Sequence, residues 1–167
     1  MKNKVIKYSS TFLLVVMAIA LFPQTGLAQN KKEKKAAAIK NIVEARNYVF
    51  KAQTALPTSG STRQLTSDFD LRVSKDTIIS YLPYFGRAYT APLNPAEGAL
   101  QFTSTDFQYS ATNKKKGGWD IVITPKDLQD PRQLTLSIFD NGTASVVVTS
   151  YNRQPISFNG YVTAKDK

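Results

Sequence analysis

From residue 69 onward the apolar side chains of this chain fall on every second position, in short runs broken by turn residues. Phe69, Leu71 and Val73 alternate with Asp68, Asp70 and Arg72. A period of two sends successive side chains to opposite faces, so each run predicts a strand with one buried and one solvated side. The pattern repeats at Thr77–Leu82, Leu100–Phe102, Phe107–Ala111, Trp119–Ile123, Leu134–Ile138, Ala144–Val148 and Ile156–Phe158, the last running toward Val162. Most links are of hairpin length, which predicts antiparallel neighbours. Lys114-Lys115-Lys116-Gly117-Gly118 reads as a basic turn, and Asn141-Gly142 predicts a type I′ hairpin.

Ahead of the strands, Ile39, Ile42, Val43, Val49 and Phe50 lie on one face at helical spacing. Leu56-Pro57 is the stop signal, and Thr58-Ser59-Gly60-Ser61 a loop. The predicted fold class is α+β: an N-terminal helix packed on a curved antiparallel β-meander of about eight strands, open to closure as a partial barrel.

The N-terminus reads as an address. Lys2, Lys4 and Lys7 precede an apolar run of 11 residues from Phe12 to Phe22, and Gly26-Leu27-Ala28 supplies small residues at −3 and −1. That is the layout of a secretory signal peptide cut after Ala28, and the run is too short for the ~20 residues of a spanning helix. The predicted organisation is a signal peptide at 1–28, a basic leader at 29–38 and one α+β domain at 39–167. Export from the cytoplasm follows, with no transmembrane span after cleavage.

The chain has no cysteine and no histidine. This removes disulfides, thiol nucleophiles, Ser-His-Asp chemistry and the commonest ligands of zinc, copper and haem. No cofactor, metal site or catalytic set is expected. The net charge is +10, from 22 Lys+Arg against 12 Asp+Glu. Signal cleavage takes it to +7; residues 31–40 hold +4 and the remaining domain +3. A nucleic-acid-binding domain concentrates basic charge on its fold, so no nucleic-acid partner is expected.

Two segments stand out as candidate binding residues. Residues 81–92 pack Tyr81, Tyr84, Phe85, Arg87 and Tyr89 around two prolines. Aromatic faces beside a forked guanidinium suit sugars, peptides or protein partners. The plain alternative is a connection whose aromatics plug one end of the sheet, with Gly86 there for backbone shape and Arg87 paired to an Asp. The second segment, Tyr151 to Gly160, contains Asn152 and Arg153, and Arg153 could meet Arg87 in a shared basic pocket. Its plain alternative is a turn followed by a strand with a bulge at Gly160.

These segments carry a family resemblance. LPYFGRAYTAP at 82–92, the Asn141-Gly142 hairpin and NRQPISFNG at 152–160 resemble a family of exported Bacteroidota proteins described only as a domain of unknown function. The resemblance runs from about residue 39 to Val162. It implies an envelope location in a Gram-negative cell, periplasmic or extracellular, and no mechanism.

The leading expectation is a non-enzymatic exported binding or envelope-structure module. Its contact residues would be Tyr84, Phe85, Arg87, Tyr89, Asn152 and Arg153, and its partner an envelope component, glycan or protein. One alternative is a glycan hydrolase built from paired carboxylates drawn from Asp106, Asp120, Asp127, Asp130 and Asp140. Another is an inhibitor-like or chaperone-like partner of an exported protein.

Overall fold

The computed structural model describes residues 26–89, 100–115 and 117–165; the side chains of 26–29 are outside this description. The chain divides into two compact units, Met1–Glu33 and Lys34–Lys167. Of the first, Gly26–Glu33 are described and are helical. No helix among the described residues is long and apolar enough to cross a membrane.

Helix α1 (Gly26–Glu44) ends much earlier than the Leu56-Pro57 stop predicts. The helix closes on paired reversed bonds, Asn47 N–H to the Ile42 carbonyl and Arg46 N–H to the Val43 carbonyl, both 3.0 Å. Such a closure needs a left-handed residue, a place normally taken by glycine. Here it is Arg46, with φ 50, and its guanidinium lies 4.4 Å from the centroid of the Tyr109 ring. Val49 and Phe50 therefore leave the predicted helix and join a strand.

The strands are β1 (Tyr48–Pro57), β2 (Arg63–Gln64), β3 (Asp70–Val73), β4 (Ile78–Leu82) and β5 (Leu100–Ser104), then β6 (Phe107–Asn113), β7 (Trp119–Pro125), β8 (Gln133–Ile138), β9 (Thr143–Thr149) and β10 (Ile156–Ala164). They form one antiparallel sheet ordered β5-β4-β3-β1-β10-β9-β8-β7-β6, with β2 paired to β1. β5 and β6 stand at opposite ends of that order, yet they are adjacent in the chain and point the same way. They are two halves of one strand, broken at Thr105-Asp106; the first half pairs with β4 and the second with β7. With β2 set aside, the circuit is an eight-stranded up-and-down barrel, nearly closed.

A single carboxylate braces the break. Asp127 accepts from Ser104 Oγ at 2.6 Å and from the backbone N–H groups of Thr105 and Asp106 at 2.8 and 3.2 Å. These bonds favour the ionised form and lower its pKa from 3.8 to about 2. The folded state thus holds this proton more weakly than the unfolded chain. The stability the carboxylate contributes is complete above the unfolded value and is lost as pH falls from about 4 toward about 2. Asp127→Asn is expected to flatten that loss, seen as a smaller drop in urea midpoint between about pH 5 and pH 2 than in the parent chain. Equal drops would refute the brace.

The barrel interior is filled by side chains, including fully buried Tyr48, Phe50, Phe158, Ile121 and Leu136. An eight-stranded barrel is just wide enough to be packed in this way. From α1, Ile39 and Val43 are buried in the same cluster, so the expected packing of the helix on the sheet holds.

Three local expectations change. The Asn141-Gly142 turn is not type I′, because Gly142 has φ +82 while Asn141 is not in the positive-φ region. Phe139 N–H bonds the Thr143 carbonyl and Gly142 N–H bonds the Phe139 carbonyl, leaving a three-residue loop with a left-handed glycine. The Asn141 side chain accepts from Thr143 N–H at 2.9 Å and from its Oγ1 at 2.7 Å. The bulge predicted at Gly160 adds its extra residue to the opposite strand: the β1–β10 register slips between Ala52 and Thr54. Asp70, expected in water, is only 3 % exposed, because Lys51 at 3.4 Å and Arg72 at 3.1 Å grip Oδ2.

Candidate functional site

Both segments singled out in the sequence leave the same end of the barrel. β4 ends there at Leu82, opposite the start of β5 at Leu100, and β9 ends there at Thr149, opposite the start of β8 at Gln133. The link between β9 and β10 pairs with the stretch after β4. Ala88 and Arg153 form an antiparallel bridge, Tyr89 N–H donates to the Asn152 carbonyl at 2.8 Å, and Gln154 N–H donates to the Arg87 carbonyl at 3.0 Å. Two loops become one ribbon, although no apolar periodicity in either signals a strand.

The ribbon divides the candidate residues into a frame and a surface. Tyr84 is frame: its hydroxyl lies 2.9 Å from the Arg87 carbonyl and 3.0 Å from that of Gln154, within reach of both for its one proton. Burial raises the pKa of this phenol, against the opposing pull of Arg153, so it stays a neutral donor. Arg153 is frame as well. Its Nε donates to Asp130 Oδ2 at 3.1 Å, the two side chains only 15 % and 16 % exposed, and its guanidinium lies 5.2 Å from the Tyr84 ring centroid. Asn152 contributes its backbone carbonyl. Phe85 is half-buried under Arg63, whose guanidinium lies 4.8 Å from its centroid.

Arg87 and Tyr89 are surface. Tyr89 is 69 % exposed, and Arg87 is exposed, with no carboxylate paired to it among the described residues. The Arg–Asp pair expected at Arg87 is made by Arg153 instead. Arg153 is paired with Asp130 within the frame, while Arg87 stays exposed. Thr90, Ala91 and Pro92, also part of the expected loop, lie outside the described residues.

The structure adds Arg63 and Arg132 to the site and sets Arg132 beside Tyr151, the first residue of the second segment. Tyr151 is 64 % exposed, and the Arg132 guanidinium lies 5.4 Å from its ring centroid. This end thus carries Arg63, Arg87, Arg132 and Arg153, three of them over aromatic rings. Held over rings, Arg63 and Arg132 keep their donors for an incoming anion, whereas Arg153 spends its Nε on Asp130. Arg63, just past the Thr58–Ser61 loop, and Arg132, between two predicted strands, carried nothing in the sequence that distinguished them from solubilising charge.

Three of the acidic residues are committed to structural partners. Asp120 accepts from Ser137 Oγ at 2.6 Å and pairs with Lys114 at 3.0 Å. Asp127 braces the strand break and Asp130 holds Arg153. Asp120 is paired across the ladder with Thr112, six residues beyond Asp106, which sets them ~20 Å apart at ~3.3 Å per residue. Among the described residues no group of three or more acids could hold a metal ion.

Residues 30–162 match a family model described as a domain of unknown function, DUF4251. Among solved structures the fold resembles a DUF4251 family protein from Bacteroides eggerthii DSM 20697, with a TM-score of 0.57 and 14 % identity, covering 78 % of this chain and 87 % of that one. Among curated proteins none matches. The match over residues 30–162 places this chain in the DUF4251 family, a domain of unknown function.

Proposed function

We propose that this chain is an exported, non-enzymatic binding module that meets an anionic envelope component at the loop end of its barrel. One observation carries the reading: a hydrogen-bonded ribbon, braced by Tyr84 and Arg153, leaves Arg87 and Tyr89 exposed beside Arg132 and Tyr151. A rigid base lowers the entropic cost of contact, and aromatic and arginine side chains dominate binding surfaces. The commitment of Asp120, Asp127 and Asp130 to structural partners supports the non-enzymatic part. A paired-carboxylate hydrolase needs two carboxyls ~5–9.5 Å apart across one cleft.

The test pairs binding with folding. The double variant Arg87→Ala with Tyr89→Ala removes two exposed side chains, so its melting temperature is expected within about 2 °C of the parent. Its retention on a Gram-negative envelope fraction is expected to fall at least about tenfold, and parent retention to weaken with salt. Equal retention of both proteins would overturn the reading. Cell fractionation with N-terminal mass analysis tests export; the proposal requires a mature chain beginning at Gln29.

A further inference from the structure

A groove of about 370 Å³ lies on the outer face of the barrel, across β1, β10 and β9. Its origin is local. The register slip at Gln53 pushes that residue outward, and Gly160 opposite lets the two strands approach: a Cβ there would run into the Lys51 carbonyl oxygen. Thr54, Asn159 and Ser145 stand in register across the three strands. Phe139, 47 % exposed, forms one wall.

The lining side chains are uncharged, with the Lys114 ammonium 4.4 Å from the Phe139 ring centroid, and part of the lining is unspent. Thr54 donates to Gln64, and Thr143 to Asn141. The carboxamides of Gln53 and Asn159 and the Ser145 hydroxyl make no hydrogen bond within the described residues. A carboxamide presents two donors and an acceptor side by side, a match for adjacent hydroxyls on a ring. Lys114 lies over one face of Phe139, and the rest of this half-exposed ring suits the C–H face of the same sugar ring. A cationic ligand would find no counter-charge among the lining side chains, and an anionic one only Lys114 at the Phe139 wall, whose ammonium is already paired with Asp120 at 3.0 Å. An extended peptide lacks its usual handle, because β1, β10 and β9 are each paired on both sides and offer no free edge.

We propose that this groove is a subsite for a neutral pyranose unit of a glycan, independent of the loop end. Its volume lies near the lower limit of small-molecule sites, ~300–1,000 Å³. The test is calorimetric titration of the full chain with neutral hexasaccharides of glucose, mannose and N-acetylglucosamine, and with polygalacturonate as the charged control. At least one neutral oligosaccharide is expected to bind with a Kd below about 1 mM. Gln53→Ala, Asn159→Ala and Phe139→Ala, all at exposed positions, are each expected to weaken it about tenfold with an unchanged melting temperature. Arg87→Ala is expected to leave it unaltered. The proposal fails if no neutral sugar binds at about 10 mM, or if binding ignores the three groove variants. It also fails if the loss appears only with Arg87→Ala, a result that would move the sugar to the loop end.

Discussion

Phe158→Ala is expected to cost about 3–5 kcal/mol of folding stability. Phe158 is fully buried on β10, paired on one side with Ala55 of β1 and on the other with Val146 of β9. β10 is the strand through which the C-terminal end of the chain meets β1, so a void there falls at the closure of the barrel. Its neighbours in register are an alanine and a valine on strands held by ladders on both sides. Neither can move inward to fill the space, which keeps the cavity term high. A urea titration followed by Trp119 fluorescence measures the loss, with a melting temperature lower by roughly 10–20 °C as the companion reading. Phe158→Leu retains most of the volume and is expected to cost less than half as much. A loss below about 1.5 kcal/mol for Phe158→Ala would mean that the interior is far less rigid than its packing implies.

Gly118→Ala is expected to cost about 2–4 kcal/mol, for two reasons that add. Gly118 has φ +93, where an L side chain is strained. A Cβ there would also press on the Ile138 carbonyl oxygen and lie 3.0 Å from Phe139 Cα, both backbone atoms of β8 and its turn. Two other glycines separate the contributions. Gly60, φ +114, has open space around its missing Cβ, so Gly60→Ala carries conformational strain alone. At Gly117, φ +89, the obstacle is the Asp140 carboxylate, the end of a side chain that can swing away. Urea midpoints should therefore rank the losses Gly118 above Gly117 and Gly60. If Gly118→Ala costs no more than Gly60→Ala, the close approach to β8 is not rigid.

Legibility differed between strands and ends. β7, β8 and β9 were plain because their burial alternates without interruption and each is joined to the next by a short link. β1 was hidden. Tyr48, Val49 and Phe50 are all buried, and the bulge at Gln53 resets the phase before Ala55. Both effects erase a period of two and leave spacing that passes for helical. The helix stop was equally concealed, because its left-handed residue is Arg46 rather than glycine. The cost of that conformation is offset by stacking on Tyr109, 63 residues away in the chain. In the candidate site, the aromatic and arginine composition of 81–92 and 151–160 was visible, and the two segments do meet. Which arginine would be spent on Asp130 was not.

The sequence by itself determined what depends on neighbours a few residues apart: the alternation that makes strands, the glycines and prolines that separate them, and the absence of cysteine and histidine. These set an antiparallel β-rich fold with a helix ahead of the strands and narrowed the available chemistry. Only the tertiary structure decided what depends on partners distant in the chain. It broke one strand so that its halves close a barrel, buried Asp70 between two cations, sent Arg153 to Asp130 and left Arg87 outside. It also opened a groove where Gln53 bulges against Gly160. Each outcome turns on which groups lose water together, and a linear pattern records the residues without recording that proximity.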